Sequence, residues 1–366
     1  MTPVDRRVLQ VLGPSAGGIA RHVALVTGGL DGRDGMQVDI AAPENLPVAM
    51  PKPVTPLLIP NGPVAGHRAA RRRIKAIVEE GDYDVVHAHG LRAAIDSGLA
   101  LRGSGRSVFV TVHNLVLPDI SGRTKAFFLR RAEPLAVRLT KRTFAASSQI
   151  ADHLREIAPK LGDKIETLHA PVGSPPAVNR TGTEVRDELG LEINQRLVVT
   201  ATRLAPQKAL HVMLAAIARL PDDVVLAVIG EGPLESELRS RAEELGIAGR
   251  VKWTGFRTDV GDFMAAADLL ALSSVWEAVA LVAQEAVLLG VPVVSTDVGG
   301  MGELITDRRS GRLVAKGDDN ALAEAMAEVL GSEELRRSYV DNALHDLRER
   351  FSREKMLQRL SEVYRE

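Results

Sequence analysis

Two acidic side chains, Glu277 and Glu285, stand eight residues apart in the segment WEAVALVAQEAV. If a helix starts near Val279, Glu285 lies inside it while Glu277 stays on the loop that enters it. A carboxylate accepts two hydroxyl hydrogen bonds in a fixed plane, which suits a vicinal diol of a ribose or a hexose. Glu285 is flanked by Ala283, Ala286, Val287 and Leu288, an apolar setting in which a solvated carboxylate is less expected. The spacing therefore predicts two carboxylates that bind different parts of one extended ligand.

Two cationic side chains, Arg203 and Lys208, lie five residues apart in ATRLAPQKAL, between a predicted strand and a predicted helix. An arginine at the strand end and a lysine at the helix start can converge on one diphosphate, the first as a fork and the second as a point charge. A lysine at a helix N-terminus opposes the macrodipole, a cost that an anionic ligand reverses. The alternative is that both are solvated surface charges.

Histidines occur near the ends of two predicted strands. His87 and His89 are two residues apart and project to one face, and His113 ends the next strand in TVHN, at the expected carboxyl edge of the sheet. Ligands of open parallel sheets bind at that edge, which favours a functional role for His113 over a structural one. A metal site is disfavoured because the sequence has no cysteine and no obvious carboxylate partner for these histidines.

The first predicted strand runs into the segment GPSAGGIARHV, where Gly17 and Gly18 fall at a strand-to-helix turn. The free N–H groups and positive dipole end of such a helix can receive an anion. The glycine spacing does not fit the dinucleotide fingerprint Gly-x-Gly-x-x-Gly. A plain tight turn remains the alternative.

Asp82-Tyr83-Asp84 resembles an Asp-x-Asp motif that holds a divalent ion against a nucleotide diphosphate. Here it precedes its predicted strand, which places it at the amino edge of the sheet, away from the ligand crevice. We interpret it as a solvated turn.

Composition excludes several classes of protein. The 366 residues are enough for two domains, and 45% apolar with 25% charged residues excludes wholesale disorder. A net charge of −1 argues against a nucleic-acid binder that works by bulk charge. The absence of cysteine excludes disulfides and thiol chemistry and suits a reducing cytosol, so we expect a cytoplasmic protein. No apolar run is long enough for a membrane span.

Short runs of Val, Ile and Leu alternate with segments of helical period, which predicts parallel strands joined by crossover helices, an α/β fold. The predicted strands are 8–12, 38–42, 85–89, 108–113 and 143–147, then 197–204, 224–230, 251–255, 269–273, 291–296 and 312–314. The Pro- and Gly-rich stretch 171–186 separates the two series and indicates a linker. The last helix is amphipathic and must dock on another surface.

Charge divides unevenly: residues 1–170 carry a net +7 and the remainder −8. On one continuous helix a group of basic residues would share a face near Phe127 and Phe128: Arg123, Arg130, Arg131, Arg138, Lys141 and Arg142. A second basic cluster consists of Arg68, Arg71, Arg72, Arg73 and Lys75. The hypothesis is that this half touches an anionic lipid surface or a phosphate-bearing acceptor, and the alternative is a solvated helix face.

The order and spacing of these motifs resemble glycosyltransferase family 4, the retaining nucleotide-sugar transferases of the GT-B fold. Besides the glutamate pair, the resemblance rests on GGIARHV at 17–23, DVVHAHG at 84–90, TVHN at 111–114, RLAPQK at 203–208, VIGEGP at 228–233 and PVVSTDVGGMGELI at 292–305. It covers essentially the whole chain.

The resemblance implies two Rossmann-like, doubly wound parallel-sheet domains that face each other across a cleft. On this chain the acceptor-binding domain would span 1–172, the linker 173–186 and the donor-binding domain 187–349, and a crossover helix at 350–366 would return to the first domain.

The resemblance also implies roles for individual residues. Arg203 and Lys208 would neutralise the donor diphosphate, Glu285 would bind the ribose and Glu277 the sugar. His113 would sit beside the reacting carbon. Further donor contacts would come from Gly17, Gly18, Gly230, Val279, Ala280 and Leu281. Members of the family need no metal and no cofactor, so none is expected.

The sequence departs from the family pattern around the donor site. Val279-Ala280 stands where Phe-Gly is common, and Ala280 would be strained if that position needs a positive φ. Thr202 and Ala209 replace glycines that commonly flank the cationic segment, and Gly302 replaces a proline. These changes leave the charged set intact.

The function expected from sequence is retaining transfer of a hexose-type sugar from a nucleotide diphosphate to an acceptor hydroxyl. We consider the synthesis of cell-envelope glycolipids or glycoconjugates as the pathway in which this transfer takes place. The acceptor is a sugar, a lipid or a small molecule, and an anionic membrane at its inner face is a further partner considered. Two rivals stay open: a nucleotide-sugar epimerase of the same fold and a non-catalytic sugar-nucleotide binder.

Overall fold

The computed structural model describes residues 5–14, 17–46, 48–62, 65–115 and 123–366, without the side chains of 123–130. Its chain forms two compact units. The first consists of Met1–Pro171 and Ser352–Glu366, and the second of Val172–Phe351.

The first unit contains a seven-stranded sheet in the order β3-β2-β1-β4-β5-β6-β7, with all neighbours parallel. The strands are β1 Arg6–Leu12, β2 Met36–Ala42, β3 Val54–Pro56, β4 Val85–His89, β5 Ser107–Val112, β6 Arg142–Ala145 and β7 Ile165–Thr167. Every residue of β4 is buried, as expected for a parallel strand covered on both faces. The helices are α1 Gly17–Leu30, α2 His67–Glu80, α3 Leu91–Ala100, α4 Arg123–Leu139 and α5 Ser148–Ile157.

The second unit contains a six-stranded parallel sheet in the order β10-β9-β8-β11-β12-β13. Its strands are β8 Arg196–Ala201, β9 Val224–Ile229, β10 Val251–Gly255, β11 Leu269–Leu272, β12 Val293–Thr296 and β13 Arg312–Val314. Its helices are α6 Gly182–Glu188, α7 Leu210–Ala218, α8 Glu235–Glu244, α9 Val260–Ala265, α10 Leu281–Leu288, α11 Met301–Leu304, α12 Asp319–Leu330 and α13 Glu333–Arg350.

The final helix, α14 Arg353–Arg365, belongs to the first unit. Ser352 caps its N-terminus, and its apolar face packs with β1, α1 and β5 in one buried cluster that includes Leu360, Val363 and Phe109. Arg359 anchors it further through both oxygens of Glu166. The amphipathic C-terminal segment therefore docks on the sheet of the first unit.

The α/β class and the doubly wound parallel sheets expected from sequence are confirmed. All predicted strands are present, with ends that differ by at most three residues. The sequence did not predict the three-residue edge strands β3 and β7, which bury none and one of their residues, although it predicted β13, an edge strand of the same length that buries two. An edge position also tolerates Pro56, which a central strand would not.

Two sequence expectations differ from the structure. The segment 173–186, interpreted as a linker, is part of the second unit and includes the start of α6, where Thr181 and Glu184 form a capping box. The basic helix ends at Leu139, and Pro134 does not divide it. Arg142 therefore lies on β6 and pairs with Glu166 and Glu366 instead of joining a helical face.

The side chains of Arg123, Phe127, Phe128 and Arg130 lie outside the described residues. Among the residues that are described, no helix combines the length and the apolar composition needed to cross a bilayer.

Candidate active site

The predicted donor-site residues cluster at the point where the strand order of the second sheet reverses. Strand β8 lies between β9 and β11, and the chain leaves these two central strands at the same carboxyl edge. Open α/β sheets bind ligands in the crevice at such a switch point. The loop after β8 carries Arg203 and Lys208, and the loop after β11 carries Glu277.

Hydrogen bonds fasten these two loops to each other. The Val275 N–H donates to the carbonyl of Gln207 at 2.9 Å, and the Gln207 side-chain amide donates to the carbonyl of Trp276 at 2.9 Å. The Ser273 hydroxyl donates to the carbonyls of Lys208 and Ala209 at 3.0 and 3.2 Å. The cationic loop and the acidic loop are thus one preorganised unit.

Lys208 and Glu277 form an ion pair at the centre of this unit. The Lys208 Nζ lies 2.5 Å from Glu277 Oε1, and the Ser274 hydroxyl donates to the same oxygen at 2.7 Å. The Glu277 side chain is only 10% exposed. These two hydrogen bonds, one of them from a charged donor, fix the buried carboxylate in place. Both contacts use Oε1, so Oε2 is the oxygen left for a ligand hydroxyl.

Arg203 is exposed, and among the described residues its guanidinium makes no hydrogen bond or ion pair. It follows the end of β8 by two residues, at the same sheet edge as the ion pair. Arg203, which has no partner among the described residues, lies on the same loop as Lys208, whose charge is offset by Glu277. The edge therefore has a net positive character, which suits an anionic ligand.

The backbone of the acidic loop is shaped by Gly299, a residue that sequence reasoning missed. Gly299 has φ +60°, and a Cβ there would lie 1.5 Å from the carbonyl oxygen of Glu277. The next N–H, of Gly300, donates to that carbonyl at 3.2 Å. The glycine pair after β12 was the available signal, because adjacent glycines often mark close backbone approach. Ser274, also missed, had no signal in the sequence.

Glu285 is buried within α10, the helix that begins at Leu281. Val279 and Ala280, immediately before this helix, are buried as well. The structure therefore places the second predicted carboxylate on the helix that follows the Glu277 loop, as the spacing of the two residues predicted.

Gly230, a predicted donor-site residue, follows β9 with φ +130°. A Cβ at this position would lie 2.0 Å from the carbonyl oxygen of Thr202. The glycine therefore lets the loop after β9 pack directly against the residue before Arg203. This contact gives Gly230 a role in positioning the cationic loop.

Backbone strain in this site lies at Ala209 and not at Ala280. Ala280 has φ −63° and ψ 117°, an ordinary extended conformation, so this position needs no positive φ and the residue is not strained. Ala209 has φ 45° and ψ 42°, the left-handed region that an alanine disfavours by about 1–2 kcal/mol.

We expect Ala209→Gly to raise the free energy of unfolding of the second unit by about 0.5–1 kcal/mol, because relief of strain outweighs the added freedom of the unfolded chain. Ala280→Gly is the matched control, since it relieves nothing and should cost about 0.4–1 kcal/mol. Urea unfolding followed by tryptophan fluorescence measures both changes. Equal destabilisation by the two substitutions would contradict the assignment of strain.

The first unit has its own switch point between β1 and β4. Gly17 opens α1 just after β1, and a Cβ there would meet no atom within 4 Å. Gly18 is exposed beside it. The predicted glycine turn is therefore an open helix start at the carboxyl edge of the first sheet.

Four buried histidines gather at the same edge of the first sheet. His87 and His89 lie on β4, His113 directly follows β5, and His22 comes from α1. The ring centres of His22 and His113 are 5.0 Å apart, and those of His89 and His113 are 5.5 Å apart. His22 was not singled out from sequence, although it ends the GGIARH segment that brings α1 to the edge.

Burial keeps this cluster uncharged. It lowers the pKa of His22 to about 4, and burial with the charge of His22 lowers that of His87 to about 3. The pKa values of His89 and His113 also lie well below the ordinary value, chiefly because of burial and then because of neighbouring histidines. Neutral imidazoles are competent hydrogen-bond acceptors and metal ligands.

Among the described residues, one group could in principle hold a metal ion: His22, His89 and His113 offer nitrogens within 4.8 Å of one another. The group contains no carboxylate to offset the charge of a divalent ion in a buried setting. The Asp82-Tyr83-Asp84 motif is not part of any such group. It precedes β4, Asp82 pairs with Arg106, and Asp84 accepts from the backbone of Arg7, so it is a turn at the amino edge.

Both halves of the chain match family models of sugar transferases. Residues 16–172 match "Glycosyltransferase Family 4", and residues 182–346 match "Glycosyl transferases group 1".

Two relatives and one solved structure illustrate the likeness. The N-acetyl-alpha-D-glucosaminyl L-malate synthase of Bacillus anthracis is 24% identical over 81% of this chain and 78% of its own length. The D-inositol 3-phosphate glycosyltransferase of Mycobacterium marinum is 32% identical over 71% of this chain, and the match spans 58% of that relative. The crystal structure of Anabaena HepE in complex with UDP is 23% identical, with a TM-score of 0.81, over 98% of this chain and 99% of that one.

The matched segments contain the switch-point loops of both sheets, including the GGIARHV turn, the histidine cluster, the Lys208–Glu277 pair and Glu285. The two sheets and their parallel order are those of the GT-B fold. The chain belongs to the GT-B glycosyltransferases of the family 4 type.

Proposed function

We propose that the protein is a retaining, metal-independent glycosyltransferase that moves a hexose-type sugar from a nucleotide diphosphate to an acceptor hydroxyl. The observation that carries this proposal is the cluster at the switch point of the second sheet. There an exposed arginine, a lysine and a fixed carboxylate lie on hydrogen-bonded loops, beside the helix that contains Glu285. The UDP bound to HepE supports a nucleotide donor.

Each charged residue of this cluster suits a different part of the donor. Arg203 can bind the diphosphate as a fork, and Lys208 can bind it as a point charge without moving away from Glu277 Oε1, since an ammonium has three N–H donors. Glu277 Oε2 is available for a hydroxyl of the hexose. In this proposal Glu285 binds the ribose hydroxyls, and the amides around Val279, Ala280 and Leu281 and at Gly230 face the donor.

The same groups stabilise the transition state. As the bond from the sugar to the phosphate breaks, negative charge grows on the leaving diphosphate and the sugar becomes oxocarbenium-like. Arg203 and Lys208, held by loops that need no rearrangement, stabilise that charge electrostatically. The amides of Gly17 and Gly18 would add to this from the first unit, and His113 would lie beside the reacting carbon. We propose attack from the face that the diphosphate leaves, with a phosphate oxygen accepting the acceptor proton.

The acceptor remains a sugar, a lipid or a small molecule. The exposed cations of α2, Arg68, Arg72 and Arg73, favour a phosphate-bearing acceptor or an anionic membrane at its cytoplasmic face. Cosedimentation with anionic but not zwitterionic vesicles would support the membrane; equal binding to both would remove it.

A panel of UDP-, GDP- and ADP-sugars tests the donor class by thermal shift. A true donor at 100 times its Kd stabilises the fold by about 2.7 kcal/mol through mass action. We expect the sugar nucleotides of one base to raise the melting temperature, and we expect Glu285→Gln to reduce that rise. Absence of a shift with every donor would overturn the proposal.

Product analysis then separates the rival functions. Incubation of the donor with candidate acceptors should give a glycoside whose anomeric configuration matches that of the donor. An isomerised donor would indicate an epimerase, and binding without turnover would indicate a non-catalytic binder. A product of inverted configuration would overturn the retaining mechanism.

A further inference from the structure

A chain of hydrogen bonds connects the C-terminal helix to His113 through the interior of the first unit. The Gln10 amide nitrogen donates to the Tyr364 hydroxyl at 3.5 Å, and the Gln10 carbonyl oxygen lies 2.8 Å from His89 Nε2. His89 Nδ1 lies 3.2 Å from His113 Nε2. Tyr364 also contacts His87 Nδ1. All these side chains are buried, so no bulk water competes for their hydrogen bonds.

The donors and acceptors of this chain can be assigned in one direction, starting at Gln10. Its carbonyl oxygen can only accept, so His89 Nε2 carries a proton and donates to it. The neutral His89 then has a lone pair on Nδ1, and His113 Nε2 must be the donor across the 3.2 Å contact. His113 is therefore the Nε2–H tautomer, with its lone pair on Nδ1.

The hydrogen bonds of Tyr364 agree with this assignment of donors and acceptors. Because the hydroxyl accepts from Gln10, its own proton is free to be donated to His87 Nδ1. His87 Nε2 then carries a proton that it donates to the Thr111 hydroxyl at 2.8 Å. Burial raises the pKa of Tyr364 and keeps its hydroxyl protonated.

This assignment of donors and acceptors argues against a metal site formed by His22, His89 and His113. A proton lies between His89 Nδ1 and His113 Nε2, and the metal would have to displace it and the bond it makes. The Gln10 contact, in contrast, is what an orienting partner of a functional histidine provides.

We propose that Gln10 and Tyr364 are positioning residues that act through His89 to hold His113 as the Nε2–H tautomer. His113 Nδ1 is thereby kept as an acceptor for a hydroxyl of the bound sugars. This inference rests on the proposed function, because it needs His113 at the reacting centre. Because Tyr364 lies on α14, the orientation of His113 then depends on how that helix docks, and not only on the active-site loops.

Nitrogen-15 NMR of the full chain, labelled at histidine, tests the tautomer directly. A protonated and an unprotonated ring nitrogen have widely separated shifts, and His113→Gln identifies the signals by their loss. We expect His113 to be protonated at Nε2 in the wild-type protein at neutral pH. Protonation at Nδ1 would overturn the proposal, whatever the activity of the enzyme.

Gln10→Met tests the positioning role, because methionine fills similar space but cannot accept from His89. We expect a loss of the single tautomer at His113 and a fall of about tenfold in kcat, the worth of one buried hydrogen bond, with little change in the donor KM. Tyr364→Phe keeps the ring packed beside Phe109 and should produce a smaller change of the same kind.

Thr143→Val is the matched control. It removes a buried hydroxyl contact with Thr140, at 3.1 Å, which lies in the same unit but is not part of the hydrogen bonds that lead to His113. It should leave the His113 signals and kcat unchanged. A disturbed tautomer with normal kcat in Gln10→Met would overturn the positioning role. Full turnover by His113→Ala would instead contradict the proposed function and leave the tautomer assignment standing, so the two failures are distinguishable.

Discussion

Replacement of Lys208 by alanine is expected to lower kcat/KM for sugar transfer by about 10²–10³-fold, the effect of removing one oxyanion-type donor from a preorganised site. The lysine stabilises charge that develops on the leaving diphosphate, so most of the loss should fall on kcat. The substitution also leaves the Glu277 carboxylate, which is 10% exposed, with Ser274 alone. Steady-state kinetics with the donor identified by thermal shift measures the change.

A loss of stability must be separated from a loss of catalysis in that experiment. Arg309→Ala is the matched control, because the Arg309 side chain lies 2.6 Å from Asp346, a carboxylate that is 6% exposed in the same unit. It should destabilise the second unit comparably while leaving kcat/KM near the wild-type value. If Lys208→Ala retains near-normal turnover, the role of the lysine on the diphosphate is wrong.

The core of the fold could be predicted from sequence because central parallel strands are buried on both faces. Runs such as Val224–Ile229 and Leu269–Leu272 are fully buried, and the sequence shows them as continuous apolar segments. The edge strands β3 and β7 lack that signal because they bury none and one of their three residues, whereas the predicted edge strand β13 buries two of its three. The proline and glycine residues of 171–186 correctly predicted that this segment forms no β-strand. They did not show that the segment is part of the second unit.

The positions of the candidate site residues in the fold could be predicted where residue type and strand position carry the information. Lys208, Glu277 and His113 follow strands at carboxyl edges, where parallel sheets place their ligands. Gln10 was missed because it is connected to the site only through a contact with His89, far away in sequence. Ser274 contacts Glu277, three residues further along, but a serine at that spacing forms no pattern that the sequence reveals.

The sequence could not decide whether Ala280 is strained, because a glycine that is common at a position does not reveal its φ. Ala280 is relaxed in the structure, whereas Ala209, which also stands where glycine is common, takes the left-handed conformation. A glycine position signals either positive φ or close approach, and only the structure distinguishes them.

Acidification from pH 7.5 to pH 5 is expected to destabilise the first unit. Burial lowers the pKa of His22 to about 4 and that of His87 to about 3, against 6.5 in the unfolded chain. Below pH 6.5 the unfolded state therefore binds protons that the folded state does not, so stability is complete above pH 6.5 and falls as the pH drops toward the folded pKa values. At pH 5 each of these two histidines costs about 2 kcal/mol, or about 4 kcal/mol together.

His22→Leu isolates one part of this effect. Among the described residues the buried Nδ1 of His22 has no hydrogen-bond partner, so an apolar replacement removes the protonation penalty without leaving a partner unsatisfied. The variant should lose about 2 kcal/mol less than the wild type between pH 7.5 and pH 5. His345→Gln, at an exposed position of the second unit, should leave the acid sensitivity unchanged.

The two units can be followed separately in one sample. Both tryptophans, Trp253 and Trp276, lie in the second unit, so their fluorescence in urea reports that unit, while amide exchange in β1, β4 and β5 reports the first. The ion-paired carboxylates of the second unit, such as Asp223 and Asp307, have lowered pKa values and are ionised throughout this range. Protection of β4 that is equal at pH 7.5 and pH 5 would show that the histidine cluster takes up protons in the folded state, and it would refute the neutral cluster on which the hydrogen-bond order to His113 depends.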